Sequence, residues 1–190
     1  GGMNITYPNE LTREGVSGLE NIGGADNTNY VTQAQWITAQ LFTRYLSGHA
    51  DWTPATNTAM QIASIIAIDS PLMVLATDPA KILQNEAVEF IKSIPTVWDR
   101  TLVLDGSKIG ETAIYAKEKD GVWFLAGIFA KNNSAAKIKL SDFLSDGTYV
   151  MELWEDKGGA KVKTEKLVTK NDVLTFVKSA GQGFAARFSK

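Results

Sequence analysis

The hydrophobic pattern of this chain changes period near residue 97. Before that point apolar residues recur every three or four positions, the spacing of helices with one buried face. Val31, Ala34, Thr38, Leu41 and Tyr45 form one stripe, widened by Trp36, Ile37 and Phe42. This predicts a helix from residue 28 or 29 to Leu46, stopped by Gly48. Ala59, Ile62, Ala63, Ile66 and Ala67 repeat the spacing and predict a second helix, with Thr56 or Asn57 as its cap and Ser70-Pro71 as its end. A short restart over 72–77, a turn at Asp78-Pro79 and a helix over 85–93 complete the helical half. From residue 97 the period is two, with strands expected at 101–105, 111–118, 121–130, 136–140, 147–155, 160–168, 172–177 and 183–188. Asp120-Gly121 and Asp146-Gly147 are hairpin signals between them. The expected fold is therefore α+β: a helical, incomplete region over 1–97, then a small antiparallel β-sandwich over 98–190.

Composition narrows the function classes. A formal net charge of −2, with no basic run interleaved with aromatics, gives no electrostatic reason to expect nucleic acid or an anionic membrane as partner. No segment approaches the ~18 consecutive apolar residues of a membrane-spanning helix. The chain has no cysteine, which excludes disulfides and thiolate chemistry. Its one histidine, His49, cannot assemble a His/Cys zinc site. Neither a phosphate-binding G-x-x-x-x-G-K-[ST] loop nor a G-x-S-x-G elbow is present.

The chemistry-bearing stretch is Thr6 to Gly24, TYPNELTREGVSGLENIGG. It sets Glu14 and Glu20 six residues apart among glycines and turn formers, ahead of the first helix. Two carboxylates on one curved loop suit glycoside hydrolysis, where one protonates the leaving oxygen and the other attacks or activates water. They equally suit calcium, a hard ion that takes several oxygen ligands. The plain alternative is Glu14 paired with Arg13 and Glu20 solvated, which composition by itself favours. Asp51-Trp52 sets an acceptor beside an aromatic ring, as in a sugar contact; a turn aspartate next to a packing tryptophan is the simpler reading. Trp98, Trp123 and Trp154 are expected to pack in or beside the β region.

Several ordered motifs together resemble glycoside hydrolase family 97. They are TYPNELTREGVSGLEN (6–21), LFTRYLSGHADWTP (41–54), SPLMVLATDP (70–79), FIKSIPTVWDRTLVLDGSKIGE (90–111) and the closing GQGFAARF (181–188). The resemblance implies the C-terminal part of a (β/α)₈ TIM barrel followed by a small β domain, in an enzyme that cleaves terminal α-glucosides or α-galactosides with calcium in its active site. On it, Glu20 matches the general acid and Glu14 a calcium ligand; Asp51 and Trp52 stay the candidate substrate contacts read from the residues. The family's loop usually reads Ala-Gly-Pro-Met-Asp-Tyr where this chain has Ser-Gly-His-Ala-Asp-Trp (47–52), so Asp51 is kept while its neighbours differ.

The resemblance also implies that the second catalytic carboxylate and the other calcium ligands belong to preceding family sequence, so this chain is expected to be inactive alone. The alternative is a non-catalytic carbohydrate-binding or interaction module. Further expectations are an oligosaccharide partner in the full-length enzyme, a periplasmic or secreted location, and a homo-oligomer formed through apolar helix faces at 29–46 and 57–68.

Overall fold

The computed structural model describes residues 6, 7, 9–13, 15, 16, 18 and 28–190. Glu14 and Glu20 lie outside the described residues. The described fold is α+β with antiparallel sheets: helices α1 (Tyr30–Gln40), α2 (Ala59–Ala67), α3 (Pro79–Leu83) and α4 (Val88–Ser93), then strands β1 (Arg100–Val103), β2 (Thr112–Lys119), β3 (Val122–Phe129), β4 (Ser134–Lys139), β5 (Thr148–Lys157), β6 (Ala160–Thr169), β7 (Val173–Lys178) and β8 (Gln182–Ser189).

The helices follow the pattern with several differences. Asn29 caps α1 by accepting from the Thr32 amide, and Ala34, Thr38 and Leu41 are buried. The helix stops at Gln40, however, and the chain continues through a turn into a 3₁₀ segment at Arg44–Ser47. Trp36, expected to widen the buried stripe, is 42% exposed. Helix α2 is capped by Thr58, not Thr56 or Asn57: Thr58 Oγ1 accepts from Gln61 N while Gln61 Oε1 accepts from Thr58 N, a capping box. The expected helix at 72–77 is absent. A short helix instead begins at Pro79, where Asp78 accepts from the Ala80 amide and proline suits the first helical position.

All eight expected strands form. Six make one antiparallel sheet in the order β1-β2-β3-β8-β5-β6, and β4 and β7 pair separately. The period of two divides the large sheet's side chains between two cores. On β3, Phe124, Ala126 and Ile128 join a core shared with α1, α2 and α4, while Trp123, Leu125 and Phe129 join a second core beneath β4 and β7. Phe184 of β8 stacks on Phe176 of β7 with ring centroids 3.9 Å apart. The sheet thus has helices on one face and the strand pair on part of the other. That is why VWFLAGIF in β3 is apolar at nearly every position.

Helix α2 carries the junction. All nine of its residues are buried, and it packs on β2, β3, β5 and β8. It lies directly on the β8 backbone, where a Cβ added at Gly183 would sit 2.6 Å from Met60 Cα. The Asp156 carboxylate, from β5, accepts from the amides of Ala59 (2.8 Å), Met60 (3.0 Å) and Gly183 (2.9 Å). Those first two amides are orphan donors of the helix N-terminus, so one side chain pins the helix to two strands.

Candidate functional site

The described part of the N-terminal stretch is tied to the loop before α2. The Asp51 amide donates to the Arg13 carbonyl at 2.9 Å, and Thr12 Oγ1 donates to Asp51 Oδ1 at 2.7 Å. Arg13 in turn holds Glu10 through a two-pronged ion pair. That pairing keeps the Glu10 carboxyl below the usual carboxylate range. On the other side of the loop, Ala50 N donates to Asp69 O at 3.3 Å. Residues 10–13, 50–51 and 69 are therefore brought side by side although they are far apart in sequence.

Behind Asp69 lies a buried cation. Lys117, from the helix-facing side of β2, is fully buried, and its Nζ donates to Asp69 Oδ1 at 2.6 Å. It stands 5.5 Å from the Trp98 ring centroid and 6.0 Å from that of Tyr115. Burial drives the Lys117 ammonium below its ordinary value, and Asp69 opposes that shift. Burial, with the Asp69 charge, pushes Tyr115 up to about 12. Tyr45 is raised in the same way, by burial first; Asp69 and Asp51 add to the shift and Arg44 opposes it. The Tyr45 hydroxyl and His49 Nδ1 are buried without a hydrogen-bond partner among the described residues. His49, Asp69, Pro71, Thr96, Val97, Trp98 and Thr101 line an open hollow of about 270 Å³.

The sequence-derived candidates fall as follows. Glu20 and Glu14 are outside the described residues. Asp51 is half-buried and held by Thr12. Trp52 is 2% exposed and its indole N–H donates to Ser64 Oγ at 3.1 Å, so it packs and offers no open ring face. Among the described residues no three His, Asp or Glu side chains come together as a metal site. Asp51 and Asp69 are each tied to a separate donor, Thr12 and Lys117.

Sequence reasoning missed Asp69, Lys117 and Asp156. The Lys117–Asp69 pair spans 48 positions and the Asp156–Ala59 bond 97, beyond any periodicity. The available signal was a lysine inside the apolar run AIYAK of a strand buried on both faces.

Residues 97–189 match the family described as glycosyl-hydrolase 97 C-terminal, oligomerisation. A retaining alpha-galactosidase of Bacteroides thetaiotaomicron is 33% identical over 214 aligned residues, covering 98% of this chain and 32% of that protein. Among solved structures, a glycoside hydrolase family 97 enzyme in complex with acarbose, from Pseudoalteromonas sp. strain K8, superposes with a TM-score of 0.84 at 27% identity, over 99% of this chain and 33% of that one. A beta-arabinopyranosidase shares the fold at 21% identity, with a TM-score of 0.74 over 88% of this chain and 29% of its own. The chain belongs to glycoside hydrolase family 97 and corresponds to the C-terminal part of its members. It spans about a third of the length of these family 97 relatives.

Proposed function

We propose that this chain serves an α-galactoside- or α-glucoside-cleaving enzyme as its C-terminal part, and that it does not turn over substrate alone. The observation that carries this reading is coverage. The match to the Bacteroides alpha-galactosidase takes in 98% of this chain but 32% of that protein, while glycosidic cleavage needs two carboxylates facing one sugar.

The local geometry supports a barrel origin for the helical part. The segment around Arg13 is followed by α1 and the segment around Asp51 by α2, and the two segments are joined by a backbone hydrogen bond. Neighbouring strands of a (β/α)₈ barrel, each leading into a helix, would make this contact. In that frame Glu20 is the proton donor and Glu14 a calcium ligand. Calcium would supply a fixed positive charge near the developing negative charge of the reaction. The chain's own part is to hold Asp51 through Thr12 and to brace the loop against Asp69. The β domain supports self-association, since the family description names oligomerisation for residues 97–189. The exposed apolar side chains of the helical region, Val31, Trp36 and Leu46 among them, are where the rest of a family 97 chain would pack.

The test is hydrolysis of an α-galactoside and an α-glucoside by the purified chain, alongside Glu20→Gln. No turnover above background is expected; turnover abolished by Glu20→Gln would overturn the claim that the chain is inactive alone.

A further inference from the structure

Strand β6 closes one edge of the six-stranded sheet and pairs with β5 along its whole ten-residue length, from Ala160 to Thr169. Its other side has no strand neighbour among the described residues. It contains neither proline nor glycine, and its register against β5 is unbroken by a bulge. Leu167 is 69% and Val162 37% exposed on it. The opposite edge strand, β1, is four residues long. Long unpaired edges are either blocked or used for pairing. Two of its three lysines are engaged within the chain. Lys161 Nζ is occupied inside the chain by Asn85 Oδ1 at 2.8 Å and the Thr56 carbonyl at 3.2 Å, and Lys163 lies 3.3 Å from Glu152 and 3.4 Å from Glu165.

We propose that the free edge of β6 is a self-association surface, on which β6 of a second copy pairs antiparallel about a two-fold axis at Thr164. This rests on the reading that the β domain self-associates. The register follows from geometry and charge. Directly opposed residues in an antiparallel pair present the same side of their backbones to each other, and outward-facing groups alternate along a strand. Residue numbers in each opposed pair must therefore share parity, which places the two-fold axis on a residue. An axis on Lys163 sets two lysines face to face, and one on Glu165 sets two glutamates face to face. An axis on Thr164 instead opposes Lys163 to Glu165 of the second copy, twice by symmetry, with Thr164 facing its own equivalent. Val162 then meets the aliphatic stem of Lys166. Opposite-charge and Thr–Thr cross-strand pairs are favourable and like-charge pairs unfavourable. Such a contact is isologous and closes as a dimer, leaving no β6 edge to propagate.

The experiment is sedimentation velocity of the whole chain over a concentration series, for the parent, Lys163→Glu, Glu165→Lys and the double swap. Circular dichroism and thermal melting serve as folding checks. A dimer is expected, weakened by about tenfold in each single reversal and restored in the double swap. Glu165→Pro, which removes one amide of the free edge and none of the β5 ladder, should also leave monomers. A dimer indifferent to all four changes would overturn this surface while leaving self-association standing. A parent chain that stays monomeric at every concentration would overturn both.

Discussion

Replacing Asp156 by alanine removes the common acceptor of three buried amides, those of Ala59, Met60 and Gly183. Each buried donor left without a partner costs about 1–3 kcal/mol. Against this stands relief from burying a carboxylate: burial raises the Asp156 pKa even though three N–H groups and Lys178 favour its charge. Allowing for that relief, the net loss should be about 3–5 kcal/mol. For a chain of this length it would lower Tm by about 10 °C. Asp156→Asn keeps the shape and one acceptor oxygen but turns an amide N–H₂ toward at least one donor, so it should lose about 2 kcal/mol. Urea titration and thermal melting measure both variants, and hydrogen exchange should show lost protection at Ala59, Met60 and Gly183. An Asp156→Ala variant within about 0.5 kcal/mol of the parent, the range of an ordinary surface substitution, would refute the idea that this carboxylate pins α2 to the sheet.

Other substitutions separate the remaining effects. Lys117→Met should leave stability unchanged or raise it, because methionine fills the site without a buried charge; Asp69→Ala should cost about 2 kcal/mol by leaving Lys117 buried and unpaired. Chemical denaturation reads this asymmetry. Gly183→Ala should cost more than about 3 kcal/mol, or prevent folding, because its Cβ would stand 2.6 Å from Met60 Cα and 2.5 Å from the Gly127 carbonyl. Asp99, through the Asp120 amide and Lys119, and Asp172, through Thr169, are held below their ordinary carboxylate values. Their stabilising contribution is complete above the unfolded value near 3.8 and is lost as pH falls through the folded values. The raised Asp156 acts in the opposite sense, favouring the folded state toward acid. Melting curves from pH 7 to pH 2 should therefore show less acid loss in an Asp99→Asn/Asp172→Asn variant than in the parent.

The strands were legible because each is short, rich in β-formers and bounded by a turn signal, as at Asp120-Gly121 between β2 and β3. What covers each face was not. Alternation in β8 reports that Phe184 and Ala185 point opposite ways, but not that one meets Phe176 and the other the helical core. The α1 stripe ran past Gln40 because Leu41, Phe42 and Tyr45 are still partly or fully buried. They are buried from a turn and a 3₁₀ segment, not from a continuing helix. Helix α3 was read as a turn because Asp78-Pro79 marks turns and helix starts alike. At the candidate site, Asp51 was visible as a motif residue. Its neighbours Asp69 and Lys117 were not, since contacts between distant segments leave no local period.

The most direct test joins this chain to the preceding two-thirds of a family 97 relative and follows cleavage of an α-linked disaccharide. A sugar leaving group is the right choice, because a nitrophenol departs with little protonation and would hide the loss of an acid. The account predicts no cleavage by the chain alone and cleavage by the joined protein. It also predicts a fall of about 10²–10⁴-fold when the joined protein carries Glu20→Gln. Cleavage by the chain alone that Glu20→Gln abolishes, or a joined protein indifferent to Glu20→Gln, would contradict it.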